Sequence, residues 1–306
     1  STILAKWQEK VTRDTIKASE LLNEFSKLTT ALDQRNNVFM SIPANGFFLR
    51  DFHLARKIER WIEANKAKAE DWFHIVAEFD ALNSLGNYAY NHSTYTYPLL
   101  AESNEQVDAK NLGHPLLQAK GRIDNDYKID VEQFFIITGA NMAGKSTFLR
   151  TVALSIVMAN SGLPVCAESY KYKPIKLITS MRTTDSLSEN ESYFFSELKR
   201  LKIIIDTIQT DDHFIILDEI LKGTNSKDKA EGSQQFVQKL VKSKSTGIIA
   251  THDLSLCTLE DSLDEVRNYY FDAEIVNDEL YFDYSLKKGI CQNMNASFLL
   301  KKMEII

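Results

Sequence analysis

Residues 134–146 read Phe-Phe-Ile-Ile-Thr-Gly-Ala-Asn-Met-Ala-Gly-Lys-Ser, and this stretch is the strongest indication of the fold. Its last eight residues match the phosphate-binding pattern G-x-x-x-x-G-K-[ST] at every fixed position. The apolar run at its start predicts a buried strand, and the residues from Lys145 to about Asn160 predict a helix. In such a strand–turn–helix, the loop amides and the positive end of the helix bind nucleotide phosphates. The alternative for this pattern is a glycine-rich turn without a ligand.

Two charged or hydroxyl-bearing side chains in this loop have predicted tasks. Lys145 is expected to reach the β- and γ-phosphates of the nucleotide, and the Ser146 hydroxyl is expected to ligate Mg²⁺. Both tasks follow from placing a cation and an oxygen donor at the start of the helix, beside the phosphates. Together they predict a nucleotide-binding site with a bound magnesium ion.

A second apolar run, Phe214–Leu217, ends in the carboxylates Asp218 and Glu219. Asp218 is placed to hold the Mg²⁺ shell through water, and Glu219 to polarise an attacking water as a general base. Taken alone, an apolar run ending in Asp-Glu can also be an ordinary buried strand. Combined with the loop at Gly139–Ser146, it favours ATP hydrolysis over nucleotide binding alone.

A third apolar run, Gly247–Thr251, is followed by His252. By itself His252 reads as a structural histidine. After the two preceding strands, it matches the position from which ATPases of the ABC type sense the γ-phosphate. The predicted chemistry is in-line attack of water on the γ-phosphoryl group, with catalysis by positioning and charge stabilisation.

The chain divides into a helical part and an α/β part. Apolar residues recur at helical spacing through residues 1 to about 95, with a predicted loop at Ser41–Gly46. Short apolar runs then alternate with helical stretches, which is typical of α/β folds. We therefore predict a helical segment over residues 1–110 and one α/β domain over residues 111–306.

Further elements are predicted within the second part. They are a strand at Leu177–Thr179, helices at about Glu191–Ile208 and Asp228–Val241, a hairpin pairing Val266–Val276 with Glu279–Tyr284 across Asn277–Asp278, and a last helix around Asn295–Lys302.

The composition is that of an ordinary acidic globular protein. Lys and Arg number 36 against 42 Asp and Glu, so the net charge is -6 and no basic nucleic-acid surface is indicated. The three cysteines are odd in number and far apart, which favours reduced thiols and a cytoplasmic location. No stretch has the pattern of a transmembrane helix, so no membrane contact is expected within this chain. Because the first residue is Ser1, we expect the chain to be a segment of a longer protein.

The nucleotide loop resembles that of a known family. Thr138–Arg150 looks like the T-G-x-N-M-x-G-K-S-T-x-x-R loop of MutS-family DNA mismatch repair ATPases, and Asp218–Asn225 is similar to the D-E-x-x-R-G-T-S segment of that family. Further matches follow in family order. They are Asp80–Leu85, Gly113–Pro115, Glu191–Glu197 for the S-T-F-x-x-E signature, Glu231–Gly232, Ala250–His252 and Lys288–Ile290.

The resemblance implies a P-loop NTPase fold of the ABC-ATPase type, preceded by a helical lever and connector, that works as a head-to-tail homodimer. In such dimers Ser192 of one subunit would act in trans on the γ-phosphate held by the other, although a helix N-cap serine would look the same in sequence. With Ser192, the catalytic set is Lys145, Glu219 and His252. The residues expected to bind ATP are Gly139, Ala140, Asn141, Met142, Ala143, Gly144, Lys145, Ser146 and Thr147.

The implied function is that of an ATP-driven switch in a MutS-like mismatch repair protein, which controls binding of double-stranded, mismatched DNA through regions outside this chain. A MutS-like paralogue acting in recombination or at a membrane would share every motif. A transporter-type ABC ATPase would need L-S-G-G-Q, which is absent. A scaffold without turnover is the remaining alternative.

The sequence departs from the family pattern at several positions. Ala140 and Ala143 stand where Pro and Gly are common, Lys222 replaces Arg, and Tyr193 replaces Thr. The aromatic residue that stacks on adenine in the family would fall near Arg122 or Ile123, and neither is aromatic.

Overall fold

The computed structural model describes residues 2–12, 17–33, 38–181, 193–276 and 279–292. It divides the chain into two compact units, Ser1–Tyr90 and Asn91–Ile306. The division falls before the predicted boundary at residue 110. The reason is that residues 105–112 form a strand that pairs with two later strands of the second unit.

The first unit is helical, as its apolar periodicity predicts. Its helices are α1 (Thr2–Thr12), α2 (Ala18–Asp33), α3 (Val38–Phe48) and α4 (Arg50–Asn91). Aromatic residues hold them together: Phe25 of α2 stacks on Trp61 of α4 with ring centroids 4.4 Å apart, and Trp7 meets Phe79 edge-on. Amphipathic helices of this kind are stabilised mainly by burying one face against each other.

The predicted loop at Ser41–Gly46 is wrong, because these residues lie within α3. The chain turns instead at Leu49, which has a left-handed φ of 45°. Asn45 and Asp51 brace this turn, since the Asn45 amide donates to the Asp51 carboxylate and accepts from the Asp51 N–H, each at 2.9 Å. Pro43 lacks a backbone donor but does not end the helix.

The second unit contains twelve described strands and three helices. The strands are β1 (Leu99–Leu100), β2 (Glu105–Leu112), β3 (Asn125–Asp130), β4 (Phe134–Gly139), β5 (Ser169–Tyr172), β6 (Lys176–Ser180), β7 (His213–Asp218), β8 (Thr246–Ala250), β9 (Val266–Phe271), β10 (Glu274–Val276), β11 (Glu279–Tyr281) and β12 (Leu286–Lys288). The helices are α5 (Lys145–Asn160), α6 (Tyr193–Thr207) and α7 (Ser226–Lys242), and a 3-10 helix covers Leu254–Asp261.

The main sheet has six strands in the order β12-β9-β4-β8-β7-β6. Its strands run parallel except for β12, which pairs antiparallel with β9. Every residue of β4 and β8 is buried, which explains why these strands read as unbroken apolar runs. The helix α5 packs against β4, β6, β7 and β8, and side chains of α6 and α7 join the core cluster.

A second sheet of four strands, in the order β1-β5-β2-β3, was not predicted. Its strands are short and rich in charge: β2 reads EQVDAKNL and β3 reads NDYKID. Alternate residues still turn inward, and Val107, Ile129 and Tyr127 are fully or almost fully buried. The strand β2 pairs antiparallel with β3 and β5, and such strands need only one buried face, which leaves a weak signal in the sequence.

The predicted hairpin from Val266 is wrong in its first arm. Residues Val266–Phe271 form β9, which pairs parallel with β4 inside the main sheet. Only Glu274–Val276 pairs with Glu279–Tyr281 as a hairpin, and Asn277 and Asp278 lie outside the described residues. The predicted last helix, Asn295–Lys302, also lies outside them.

Cys166, Cys257 and Cys291 are buried and form no disulfide, as predicted. Among the described helices, none is both long enough and apolar enough to cross a membrane.

Candidate active site

Three neighbouring parallel strands of the main sheet, β4, β8 and β7, end at the same edge. The loop Gly139–Ser146 follows β4, Thr251 and His252 follow β8, and Asp218 and Glu219 end or follow β7. The carboxyl ends of parallel strands are the usual place for a ligand site in an open α/β sheet. The topology therefore gathers the chemically active residues at one edge.

The loop after β4 has three left-handed residues, Gly139 (φ 145°), Met142 (φ 67°) and Gly144 (φ 106°). Gly139 is required by close packing as well, because a Cβ there would lie 2.4 Å from the Phe271 carbonyl oxygen. Ala143 has no positive φ and its side chain is buried, so alanine fits where the family commonly has glycine. Alternating backbone conformations of this kind turn successive N–H groups into one concavity, which suits an anion.

The Lys145 ammonium is folded back onto its own loop. Its Nζ donates to the carbonyl oxygens of Gly139 (2.7 Å) and Ala140 (2.8 Å) and lies 3.3 Å from His252 Nε2. Burial lowers the pKa of Lys145 to about 8, against the opposing effect of the nearby Glu219 and Asp218 carboxylates. Lys145 therefore remains mostly a cation at neutral pH, and its hydrogen bonds to two carbonyl oxygens of its own loop hold the ammonium beside the cleft.

Glu219 is held on both of its carboxylate oxygens. Its Oε1 lies 2.8 Å from His252 Nε2 and its Oε2 lies 2.9 Å from Lys222 Nζ. The hydrogen bond from His252 and the interactions with Lys222 lower the pKa of Glu219 to about 2, although partial burial acts in the opposite sense. Glu219 is therefore a carboxylate at neutral pH, with its position fixed by two neighbours.

Asp218 and Ser146 supply the oxygen atoms that a magnesium ion would need. Asp218 is buried at the end of β7, and both residues line the cleft described next. Within the part of the chain that the structure describes, no three His, Cys, Asp or Glu side chains group as a metal site. Mg²⁺ usually takes one or two protein oxygens and completes its shell with phosphate and water.

These residues surround one cleft of about 440 Å³. It is lined by Ala140, Asn141, Met142, Gly144, Lys145, Ser146, Thr147, Arg150, Asp218, Glu219, Lys222, His252 and Tyr284. Two predicted nucleotide contacts do not line it: Gly139 contributes its carbonyl to Lys145, and Ala143 is turned inward. Ser192 lies outside the described residues.

A second cavity, of about 270 Å³, adjoins the first through Gly144, Thr147 and Tyr284. It includes Arg122 and Ile123, where the sequence placed the adenine contact. Arg122 is held by a bidentate pair with Asp124, at 2.5 and 3.0 Å. The sequence pattern gave no reason to single out Tyr284, which comes from a distant part of the chain and packs against Gly144.

Sequence reasoning also missed the role of Glu197. Its buried carboxylate accepts hydrogen bonds from the N–H groups of Leu221 and Lys222, just beyond Glu219. The only signal was its place as the last residue of the signature segment, which does not reveal what it contacts.

Comparison with known proteins places the chain in a family. Residues 135–302 match the family described as MutS domain V. Human MutS protein homolog 4 is 31% identical over 241 residues, covering 75% of this chain and 25% of that protein. The DNA mismatch repair protein MutS of Staphylococcus haemolyticus is 27% identical over 270 residues, covering 86% of this chain and 30% of that protein. The chain thus spans between a quarter and a third of the length of these relatives, and it belongs to the MutS family, with residues 135–302 corresponding to domain V.

Proposed function

We propose that this chain is the ATP-binding and ATP-hydrolysing switch of a MutS-like DNA mismatch repair protein. The observation that carries the proposal is the meeting of Lys145, Asp218, Glu219 and His252 in one cleft that the loop Gly139–Ser146 also lines. Each has the chemistry that phosphoryl transfer to water needs, and the loop places them around one point.

The loop would bind the triphosphate first. The N–H groups at the start of α5 have no partner within the helix, and the helix dipole adds positive potential there. Lys145 would exchange the carbonyls of Gly139 and Ala140 for phosphate oxygens, whose negative charge favours the ammonium form. Asn141, at the exposed side of the loop, would contact the γ-phosphate.

A magnesium ion held by Ser146 and Asp218 would neutralise charge on the phosphate oxygens. Glu219 would orient a water and accept its proton as the water oxygen bonds to the γ-phosphorus and the bond to the leaving oxygen breaks. His252 would hold Glu219 and contact the γ-phosphate. The products are ADP and inorganic phosphate, with the water proton passing through Glu219.

The switch would operate in a homodimer, in which Ser192 of one subunit caps the γ-phosphate bound by the other. Nucleotide binding would order that interface and alter how regions outside this chain hold double-stranded DNA, and hydrolysis would reset it. The second candidate is a MutS-like paralogue that acts outside mismatch repair, since one of the relatives is named as a DNA mismatch repair protein and the other only as a MutS homolog. Mismatch binding by the full-length parent protein separates the two.

The hydrolytic function is tested by phosphate release from the 306-residue chain. We expect Lys145→Ala to lower turnover by about 10²–10³-fold and to weaken ATP binding. Glu219→Gln should lower turnover by about 10²–10⁴-fold while ATP still binds. The surface ion pair of Lys176 and Asp211 provides matched controls, since Lys176→Ala and Asp211→Asn remove the same charges far from the cleft. Turnover unaffected by the two cleft substitutions would refute the function.

The dimer is tested by measuring the ATPase rate against protein concentration. A residue acting in trans predicts that the rate rises more steeply than first order at concentrations where the dimer forms. A strictly proportional rise over the whole range, with the chain shown to be monomeric, would refute the contribution of Ser192 from a partner.

A further inference from the structure

Two side chains in the first turn of α6 contact the loop that carries Glu219. We call residues Glu219–Gly223 the β7 loop. Phe194 and Glu197 are three residues apart, so they lie on one face of α6. Both contact the β7 loop, one through a ring and one through a carboxylate. Neither Phe194 nor Glu197 takes part directly in the proposed hydrolysis of ATP.

Glu197 makes the polar contact with the β7 loop. Only 6% of its surface is exposed, and its two oxygens accept hydrogen bonds from successive backbone groups, Oε1 from Leu221 N at 2.7 Å and Oε2 from Lys222 N at 3.2 Å. A buried carboxylate is costly unless it is fully hydrogen-bonded. Here the bonds go to the backbone of the β7 loop, so they fix the path of the chain.

Phe194 makes the apolar contact with the β7 loop. A Cβ added to Gly223 would lie 2.7 Å from Phe194 Cβ, so the loop backbone runs directly against this side chain. The β7 loop therefore has no room to shift toward α6, and Glu197 prevents it from moving away.

The β7 loop needs such support because its conformation is strained. Glu219 has φ 51° and Leu221 has φ 58°, and left-handed backbone is unfavourable for both residue types. Strained residues persist only where surrounding contacts over-determine them. The N–H that Glu197 holds most closely belongs to one of them, Leu221.

We infer that Glu197 is a positioning residue for hydrolysis: it holds the β7 loop in the conformation that points Glu219 at His252 and so ties α6 to the hydrolytic cleft. The inference rests on the proposed function and adds a connection to it. Because α6 begins at Tyr193, directly after Ser192, a partner subunit that engages Ser192 would act through α6 on the Glu219 of the same chain.

The test is Glu197→Gln in the full 306-residue chain. The amide keeps the size of the side chain but replaces one acceptor by a donor that faces a backbone N–H. We expect kcat to fall about a hundredfold, as for a displaced catalytic group. The dissociation constant of a non-hydrolysable ATP analogue should change less than about twofold, and Tm should fall by about 2–4 °C, as for one lost hydrogen bond.

Two further measurements separate positioning from a general structural role. The exposed Asp206 at the far end of α6 pairs with Lys202, so Asp206→Asn is the matched control and should leave kcat, affinity and exchange unchanged. Hydrogen exchange at the amides of Leu221 and Lys222 should be faster in Glu197→Gln. If Glu197 acts through Glu219, adding Glu197→Gln to Glu219→Gln should lower the residual turnover less than about twofold, because the two effects are not independent.

The inference is overturned if Glu197→Gln leaves kcat within about twofold of the unsubstituted chain, if it weakens the ATP analogue as much as it slows turnover, or if its effect is undiminished in the Glu219→Gln background. An unsubstituted chain that releases no phosphate would overturn the proposed function itself, and the positioning role with it. If the unsubstituted chain hydrolyses ATP and Glu197→Gln does so at the same rate, only the positioning role is overturned.

Discussion

Two loops meet in the candidate active site, and they reach left-handed backbone conformations by different means. In the loop after β4, glycine occupies two of the strained positions, Gly139 and Gly144. In the β7 loop both strained residues, Glu219 and Leu221, carry side chains. Glycine adopts such conformations without steric cost. The first loop is therefore largely encoded by its own residues, whereas the second must be held by its surroundings.

The contacts that hold the β7 loop come from several parts of the fold. Glu219 N donates to the Ala250 carbonyl of the neighbouring strand, and Glu197 accepts from the amides of Leu221 and Lys222. Leu221 is buried, and its side chain approaches Gly232 of α7 so closely that a Cβ there would lie 2.8 Å away. The orientation of the Glu219 carboxylate therefore depends on a strained loop that contacts from distant parts of the chain hold in place.

We expect the greatest loss of stability from a substitution at Gly139, in the loop after β4. Gly139→Ala places a Cβ 2.4 Å from the Phe271 carbonyl oxygen at φ 145°, so the pairing of β4 with β9 must shift. We expect a loss of about 3 kcal/mol in the free energy of unfolding, measured by urea denaturation. Ala143→Gly is the matched control, since that position has no positive φ, and it should cost about 0.5–1 kcal/mol. Equal effects at the two positions would contradict the role assigned to Gly139.

The second prediction concerns the order of stability of alanine and glycine in the β7 loop. At Leu221 a glycine variant should be more stable than the alanine variant by about 1 kcal/mol, because glycine relieves the left-handed strain. At the buried neighbour Ile220, which has no positive φ, alanine should be more stable than glycine by about 1 kcal/mol. Urea denaturation of the four variants checks the reversal. The same order at both positions would show that Leu221 is not strained.

The smallest expected effect is where the β7 loop leads into α7. Asn225 is the N-cap of that helix, and its side chain accepts a hydrogen bond from Asp228 N at 2.9 Å. Asn225→Ala should lower the free energy of unfolding by about 1 kcal/mol, while Asn225→Ser, which keeps a capping oxygen without placing a charge beside the Asp228 carboxylate, should retain most of the stability. Thermal unfolding of both variants measures the difference. A loss of similar size in both would indicate that the cap bond is not the cause.

The sequence predicted the central sheet well and its surroundings poorly. The bounds of β4, α5, β7 and β8 agree with the prediction to within about two residues, because a strand buried on both faces and a phosphate-loop helix leave strong local patterns. The strands β2 and β3 were missed because charged residues alternate with their buried ones. Val266–Phe271 was read as a hairpin arm because a strand's own residues do not state which neighbour it pairs with.

For the candidate site, the sequence alone was enough to single out the loop Gly139–Ser146, the pair Asp218–Glu219 and His252, because each is marked by residue type and by the strand it follows. How these residues are held became visible only in the folded chain. Lys222 and His252 converge on Glu219, Glu197 supports the loop behind it, and Tyr284 reaches the cleft from far along the chain. The two differ because the geometry of the loop after β4 depends on neighbours in sequence, whereas the orientation of the Glu219 carboxylate depends on groups far apart in sequence. Only folding brings those groups within hydrogen-bond distance.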